Sequence, residues 1–261
     1  MELASSAVKR VQLELGGKAP FIVLDDADLD AAIEGAVFGG LFNLGQDCVQ
    51  ASRFYIHESL YKKFIDGLVN KVEKLKLGDP LDRNTDLGPL VSKAQRDRIA
   101  NYVRIGLEEG AKLATGGKIP DLPLPFSNGY FYQPTVFYDA EQYMRIAREE
   151  IFGPVLTVMP FRTDEEAIQK SNDTIYGLAA SVWTRNIARA MKFAKELRFG
   201  SVWVNEHDIF LSEAPHGGYK QSGFGKDLSV FTLHDYTQIK NVYIDITGKA
   251  RKPWYYWVSG E

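Results

Sequence analysis

The spacing of apolar positions changes along the chain, from unbroken short runs to helical three-and-four spacing and back. Residues 19–24 (A-P-F-I-V-L), 156–161 and 178–183 are short continuous apolar runs, the pattern of strands covered on both faces in a parallel sheet. Residues 53–57 and 201–204 read as further strands, and 112–116 as another. Residues 8–15 alternate loosely into Gly16-Gly17, which predicts a strand running into a tight turn. Between these runs the period becomes helical. Asp25-Asp26-Ala27-Asp28 supplies caps for a helix over 29–41, and 58–74 places Leu60, Phe64, Leu68 and Val72 on one face. Helices are also predicted over 92–110, from a capping box at Thr163-Asp164-Glu165-Glu166 to about Asn172, and over 187–197. Residues 131–138 are strand-like, with Pro134 arguing for an edge or an interruption. Residues 119–129, with three prolines, read as an irregular excursion, and the tail 235–246 alternates like a strand with one wet face. Strands alternating with helices throughout predict an α/β fold with a mostly parallel open sheet and flanking helices.

Length and composition then narrow the function classes. A chain of 261 residues with 45% hydrophobic and 25% charged content is ordinary for a protein with a full apolar core. The net charge of −3, with both signs interspersed, gives no basic surface for nucleic acid. No apolar run has membrane-spanning length, and the first ten residues, short and amphipathic, lack the features of a signal peptide. They read as a helix begun without a cap. A single cysteine cannot form an internal disulfide, which fits a reducing compartment and an expected cytoplasmic location.

That cysteine, Cys48, lies in F-N-L-G-Q-D-C, after a flexible Gly45-Gln46 step. A lone cysteine is most often a small buried hydrophobe. Read instead as the mouth of a helix, the site would turn backbone N–H groups toward Sγ and lower its pKa, as a nucleophile requires.

Four tracts occur in order: L-E-L-G-G-K at 13–18, F-N-L-G-Q-D-C at 42–48, E-E-I-F-G-P-V at 149–155 and P-H-G-G-Y-K-Q-S-G-F-G-K at 215–226. Together they resemble the aldehyde dehydrogenase superfamily, from Ala7 to about Ile246. The resemblance implies covalent chemistry, in which Cys48 attacks the aldehyde carbonyl, hydride leaves to NAD or NADP, and water cleaves the thioester. Glu14 matches the general base, and partial burial is expected to raise its pKa toward a useful range. Glu150 matches the residue that hydrogen-bonds the nicotinamide ribose, and Phe152 the ring that packs on the nicotinamide.

The resemblance also implies an arrangement of parts. Residues 1–15 would be the remnant of a dinucleotide-binding domain, 16–215 the catalytic domain, and 216–261 a return segment with an oligomerisation strand. The family places its pyrophosphate turn and second oxyanion donor before Leu13, so the chain alone is expected to lack most of the cofactor site and to be redox-inactive. A residual esterase working through Cys48, or a catalytically silent oligomerisation partner, is the alternative. The glycines at 217–225 do not follow a strand and open a helix, so they are no phosphate cradle. Asp47, with Glu206, Asp208 and Glu213, would make the channel mouth acidic and favour a cationic aldehyde. This pattern is similar to that of aminoaldehyde members such as γ-aminobutyraldehyde dehydrogenase. Phe210 and His216 would line the same pocket. The expected partners are a small aldehyde and other copies of the chain, as a homo-dimer or homo-tetramer through the tail strand. An aromatic end, Trp254 to Trp257, would pack on that interface.

Overall fold

The computed structural model describes residues 1–249 together with Lys252, Trp254 and Tyr255; Tyr256 and Trp257 of the aromatic end lie outside the described residues. In chain order the elements are α1 (Glu2–Ser5), β1 (Leu13–Glu14), β2 (Ala19–Val23), α2 (Leu29–Leu41), β3 (Ala51–His57), α3 (Tyr61–Val72), α4 (Lys93–Glu108), β4 (Lys112–Thr115) and β5 (Thr135–Tyr138). They continue with α5 (Arg145–Arg148), β6 (Val155–Phe161), α6 (Asp164–Asn172), β7 (Ala179–Trp183), α7 (Ile187–Glu196), β8 (Ser201–Val204), β9 (Gly223–Phe224) and α8 (Ser229–Asp235).

The apolar runs are the buried centre of the molecule. β2 and β7 are buried at every position and β3 at all but the last. They lie side by side in a sheet of order β4-β5-β6-β3-β2-β7-β8, parallel throughout except for the β4–β5 pair. The step β2→β3 moves one way across the sheet and β7→β8 the other, so right-handed crossovers put α2 and α7 on opposite faces. On α3, Phe64, Leu68 and Val72 are buried as their spacing requires. The predicted caps form, Asp28 and Thr163 accepting from the N–H groups of Ala31 and Glu166, and Ser92 accepts in the same way from Gln95. The Glu166 carboxylate accepts from Arg162 N, one residue before the reciprocal position of a capping box.

Three local readings are corrected. The strand expected over 8–15 is only Leu13–Glu14, paired antiparallel with Gly223–Phe224 outside the main sheet. Its upstream residues meet no strand; Arg10 donates instead to the His234 and Thr237 carbonyls at the end of α8. Pro134 does not put its strand at the edge. β5 begins after it, at Thr135, and lies between β4 and β6, so the missing N–H falls outside the ladder. Residues 236–249 join no strand among the described residues, and Ile239, Tyr243 and Ile246 are exposed. A segment of that length needs a partner edge, and the chain does not fold one back onto it.

Candidate active site

The segments that lead into the strands converge at the amino edge of the sheet. Glu14 to Lys18 leads into β2, Gln46 to Gln50 into β3 and Glu149 to Pro154 into β6. Open α/β sheets usually bind ligands at the opposite, carboxyl edge. The two glycines of L-E-L-G-G-K are what let the segments meet. A Cβ on Gly16 would lie 2.1 Å from Glu150 Oε2, and one on Gly17 would lie 2.4 Å from the Cys48 carbonyl oxygen. The Gly17 N–H donates to Glu150 Oε1 at 3.0 Å.

Cys48 does not sit at a helix mouth. A left-handed turn through Asn43, Leu44 and Gly45 precedes it, and strand β3 follows. Its thiol is pushed up to about 11, first by burial and then by the negative charge of Asp47, Glu14 and Asp208. A backbone N–H at Cys48 still acts to lower it, as expected, but burial and the charge of Asp47 outweigh that, and no helix start stands behind the sulfur. Asp47 is itself raised by burial, and its Oδ2 is buried without a hydrogen-bond partner. Asp208, in the left-handed region at φ 66°, is raised to about 7 by burial and by Asp47 beside it. Glu206 and Glu213 are exposed, and of the two only Glu206 lines the groove that holds Phe210 and His216.

Glu14 is partly exposed, and its pKa is raised by burial, with Lys226 opposing and Asp227 reinforcing the shift. His216 faces it, Nε2 to Oε2 3.5 Å. The Phe210 ring stands edge-on to His216 at 4.7 Å, and both line a groove of about 430 Å³. The adjacent glutamates separate by environment. Glu149 takes the Arg145 fork and the Tyr102 hydroxyl and falls to about 2. Glu150, buried against Gly16, is raised. Phe152 is held at φ 61°, an uncommon conformation for a bulky residue. Gln95 donates to the Ile151 and Phe152 carbonyls at 3.0 and 2.7 Å, and Arg98 to the Glu150 carbonyl at 2.6 Å.

Sequence reasoning missed these supports. Gln95, Arg98 and Tyr102 form a polar stripe at i, i+3, i+7 on α4, a visible signal once an element is known to face it. Gln50 joins the Gly40 and Gly153 carbonyls, tying the Cys48 segment to α2 and to the Glu150 tract. His207, fully buried, lies within 2.9 Å of both the Ser181 Oγ and the Val49 carbonyl oxygen. The carbonyl can only accept, so Nε2 carries the hydrogen and the serine hydroxyl donates to Nδ1. Burial holds this ring neutral, with its pKa down at about 4. Lys18 is buried with no partner for Nζ, and burial beside Arg53 brings it down to about 7.

The arrangement matches a known family. The model of the aldehyde dehydrogenase family covers residues 1–242. The chain belongs to the aldehyde dehydrogenase family. It is 45% identical over 254 residues to a betaine aldehyde dehydrogenase of Brucella anthropi, covering 97% of this chain and 52% of that one. Against the Bacillus subtilis betaine aldehyde dehydrogenase it is 46% identical over 243 residues, 93% of this chain and 49% of the relative. The NAD+ complex of an aldehyde dehydrogenase from Bacillus cereus superposes with a TM-score of 0.91 at 44% identity, covering 95% of this chain and 49% of that one. A betaine aldehyde dehydrogenase from Staphylococcus aureus in complex with NAD+ gives 0.88 at 43%, covering 90% of this chain and 46% of that one. This aldehyde dehydrogenase chain thus spans about half the length of the curated relatives it matches.

Proposed function

We propose that this chain supplies the acyl-transfer half of an NAD-dependent oxidation of a cationic aldehyde to its acid. The observation that carries the reading is the meeting of Cys48, Glu14 and Glu150 around Gly16 and Gly17 at one sheet edge. Cys48 Sγ is the nucleophile and becomes the thioester. Glu14, raised by burial, is the base that draws a proton from the attacking water.

The residues suit the nicotinamide end of the cofactor. Glu150 keeps one carboxylate oxygen free of the Gly17 bond for a ribose hydroxyl, and Phe152 is aimed by its left-handed backbone. When bound, the cofactor supplies the hydride acceptor. The glycines at 217–225 are taken up in packing, with Gly223 paired to Glu14, and offer no pyrophosphate cradle. The full oxidation therefore calls on residues outside this set.

The orphan Asp47 Oδ2 beside Asp208 suits an ammonium that can donate hydrogen bonds, so an aminoaldehyde is the proposed substrate. The relatives' names, betaine aldehyde dehydrogenase, point to a cationic aldehyde of the quaternary kind. A cytoplasmic location is part of this reading; no helix among the described residues is long and apolar enough to cross a membrane.

Acyl transfer is testable with this chain alone, because an activated ester needs no oxidant. With p-nitrophenyl acetate, an initial burst and an acetyl group on Cys48 by intact mass are expected. In Glu14→Gln, hydrolysis of that acyl group should slow by about 10²-fold. A chain that acetylates elsewhere, or a Glu14→Gln variant that turns over normally, overturns the assignment.

The chain is also proposed to assemble with copies of itself as a dimer or tetramer. β8 is a half-exposed edge, and the exposed alternating tail at 236–246 has the pattern to add to another copy's sheet. Sedimentation should give at least a dimer, and a variant cut after residue 235 should be a monomer. A monomeric full chain would sink this reading.

A further inference from the structure

We propose that His216 and Glu14 work as a proton-sharing pair, His216 taking over the proton that Glu14 draws from the water cleaving the Cys48 thioester. This rests on the roles of Cys48 and Glu14 above and changes that of His216, expected from sequence only to line a pocket.

The geometry is specific. His216 is pinned by two backbone hydrogen bonds to Asp227, its N–H donating at 2.8 Å and its carbonyl accepting at 2.7 Å. The ring has little freedom, because Phe210 stands edge-on to it and its side chain is only 13% exposed. One nitrogen, Nε2, faces Glu14 Oε2 at 3.5 Å, and the other, Nδ1, lies 3.5 Å from Ser201 Oγ. Catalytic contacts are commonly this long before substrate binds. Ser201, Phe210 and His216 all line the groove of about 430 Å³, so one side of the ring meets the base and the other an outlet.

The second cation near Glu14 is a poor proton carrier. Lys226 Nζ donates to the Gly217 carbonyl at 2.6 Å and lies over the Tyr219 ring. Burial lowers this lysine's proton affinity and Glu14 opposes that, but its Nζ is committed to the Gly217 carbonyl. An imidazole can take a proton and pass it on at neutral pH.

The step balances without an oxidant. Water oxygen forms a bond to the thioester carbon, and the C–S bond breaks to leave Cys48 thiolate. One water proton passes to Glu14 Oε2 and on to His216 Nε2. The imidazolium then releases a proton to solvent in the groove, and the neutral ring returns. The groups that face the ring set its affinity for that proton. Lys226 opposes protonation, while Asp227 and Asp47 favour it. Burial lowers His216 and raises Glu14.

Two measurements decide it. In deacylation of the acetyl chain, His216→Ala should be about 10-fold slower at pH 7, with imidazole added to the buffer restoring most of the loss. His216→Phe, which refills the space beside Phe210, should show the same defect. A merely structural role would give a loss that imidazole does not restore. Independently, the His216 ring proton followed by NMR should titrate at lower pH in Glu14→Gln than in the parent chain. Titration at the same pH in both, or deacylation of His216→Ala at the parent rate, overturns the pair. Absence of a Cys48 acyl group would remove the nucleophile reading alone, since the ring titration still decides whether Glu14 and His216 share a proton.

Discussion

Replacing Arg53 by methionine is expected to destabilise the chain by about 3–5 kcal/mol, a large share of a domain's stability. Arg53 lies in the middle of β3, fully buried. Its donors reach the Lys18 carbonyl at 2.8 Å, the Tyr55 hydroxyl at 3.0 Å and the Ser171 carbonyl at 3.0 Å, with the Lys170 carbonyl at 3.4 Å. Two of these acceptors are final carbonyls of α6, which have no partner within the helix. Methionine fills the stem's volume and removes the donors to the buried Lys18 and Ser171 oxygens, while the Lys170 oxygen keeps those of Tyr55 and Gln142. Arg53→Lys should recover only part of the loss, since one ammonium cannot span a fork. Arg53→Met also removes a positive neighbour from Lys18, whose proton affinity should rise. Urea unfolding reads the main effect. A cost for Arg53→Met under about 1 kcal/mol would mean that water replaces the guanidinium, and the packing argument would fail.

The second large effect concerns Cys48. With its thiol at about 11, the thiolate fraction at pH 8 is small, and alkylation by iodoacetamide should keep rising well past the ordinary thiol range near 8.5. Asp47→Asn keeps the shape and removes the nearest negative charge, so the thiolate becomes less costly and the midpoint moves down. The alkylation rate at pH 8 should increase about 3- to 10-fold, a tenfold change corresponding to one pKa unit. Burial is the larger cause and remains, so the midpoint should stay above that of an exposed thiol. Intact-mass kinetics from pH 7 to 10 test this. A Cys48 that alkylates like a free thiol in the parent chain would overturn it. A cationic aldehyde beside Asp47 screens the same charge, so substrate would activate the thiol it is about to meet.

The buried strands were legible because burial on both faces leaves a signature in single residues, the runs ending in Leu24, Phe161 and Trp183. The caps at Asp28 and Thr163 were readable for the same local reason. Strand order was not, since nothing near Leu178 says that β7 lies beside β2. The four tracts named the residues of the site but not their electrostatics. Asp208 lies far along the chain from Asp47, and only the fold brings their charges together. The helix expected after Cys48 failed because residues 49–52 suit a helix locally, while the ladder to β2 and β6 claims the segment. The tail is a different case: its alternation is real, but a strand exists only where an edge receives it, and no edge among the described residues of one chain does so.

The site's place at the amino edge has one more consequence. In a parallel α/β fold each helix that precedes a strand ends there, so α2, α6 and α7 finish at the edges of β3, β7 and β8. A helix presents its partial negative pole at that end, worth about half an elementary charge. The backbone itself thus favours positive charge at this edge and resists a thiolate, before any side chain is counted. A cationic substrate and an oxidised nicotinamide ring are the charges such a floor would welcome.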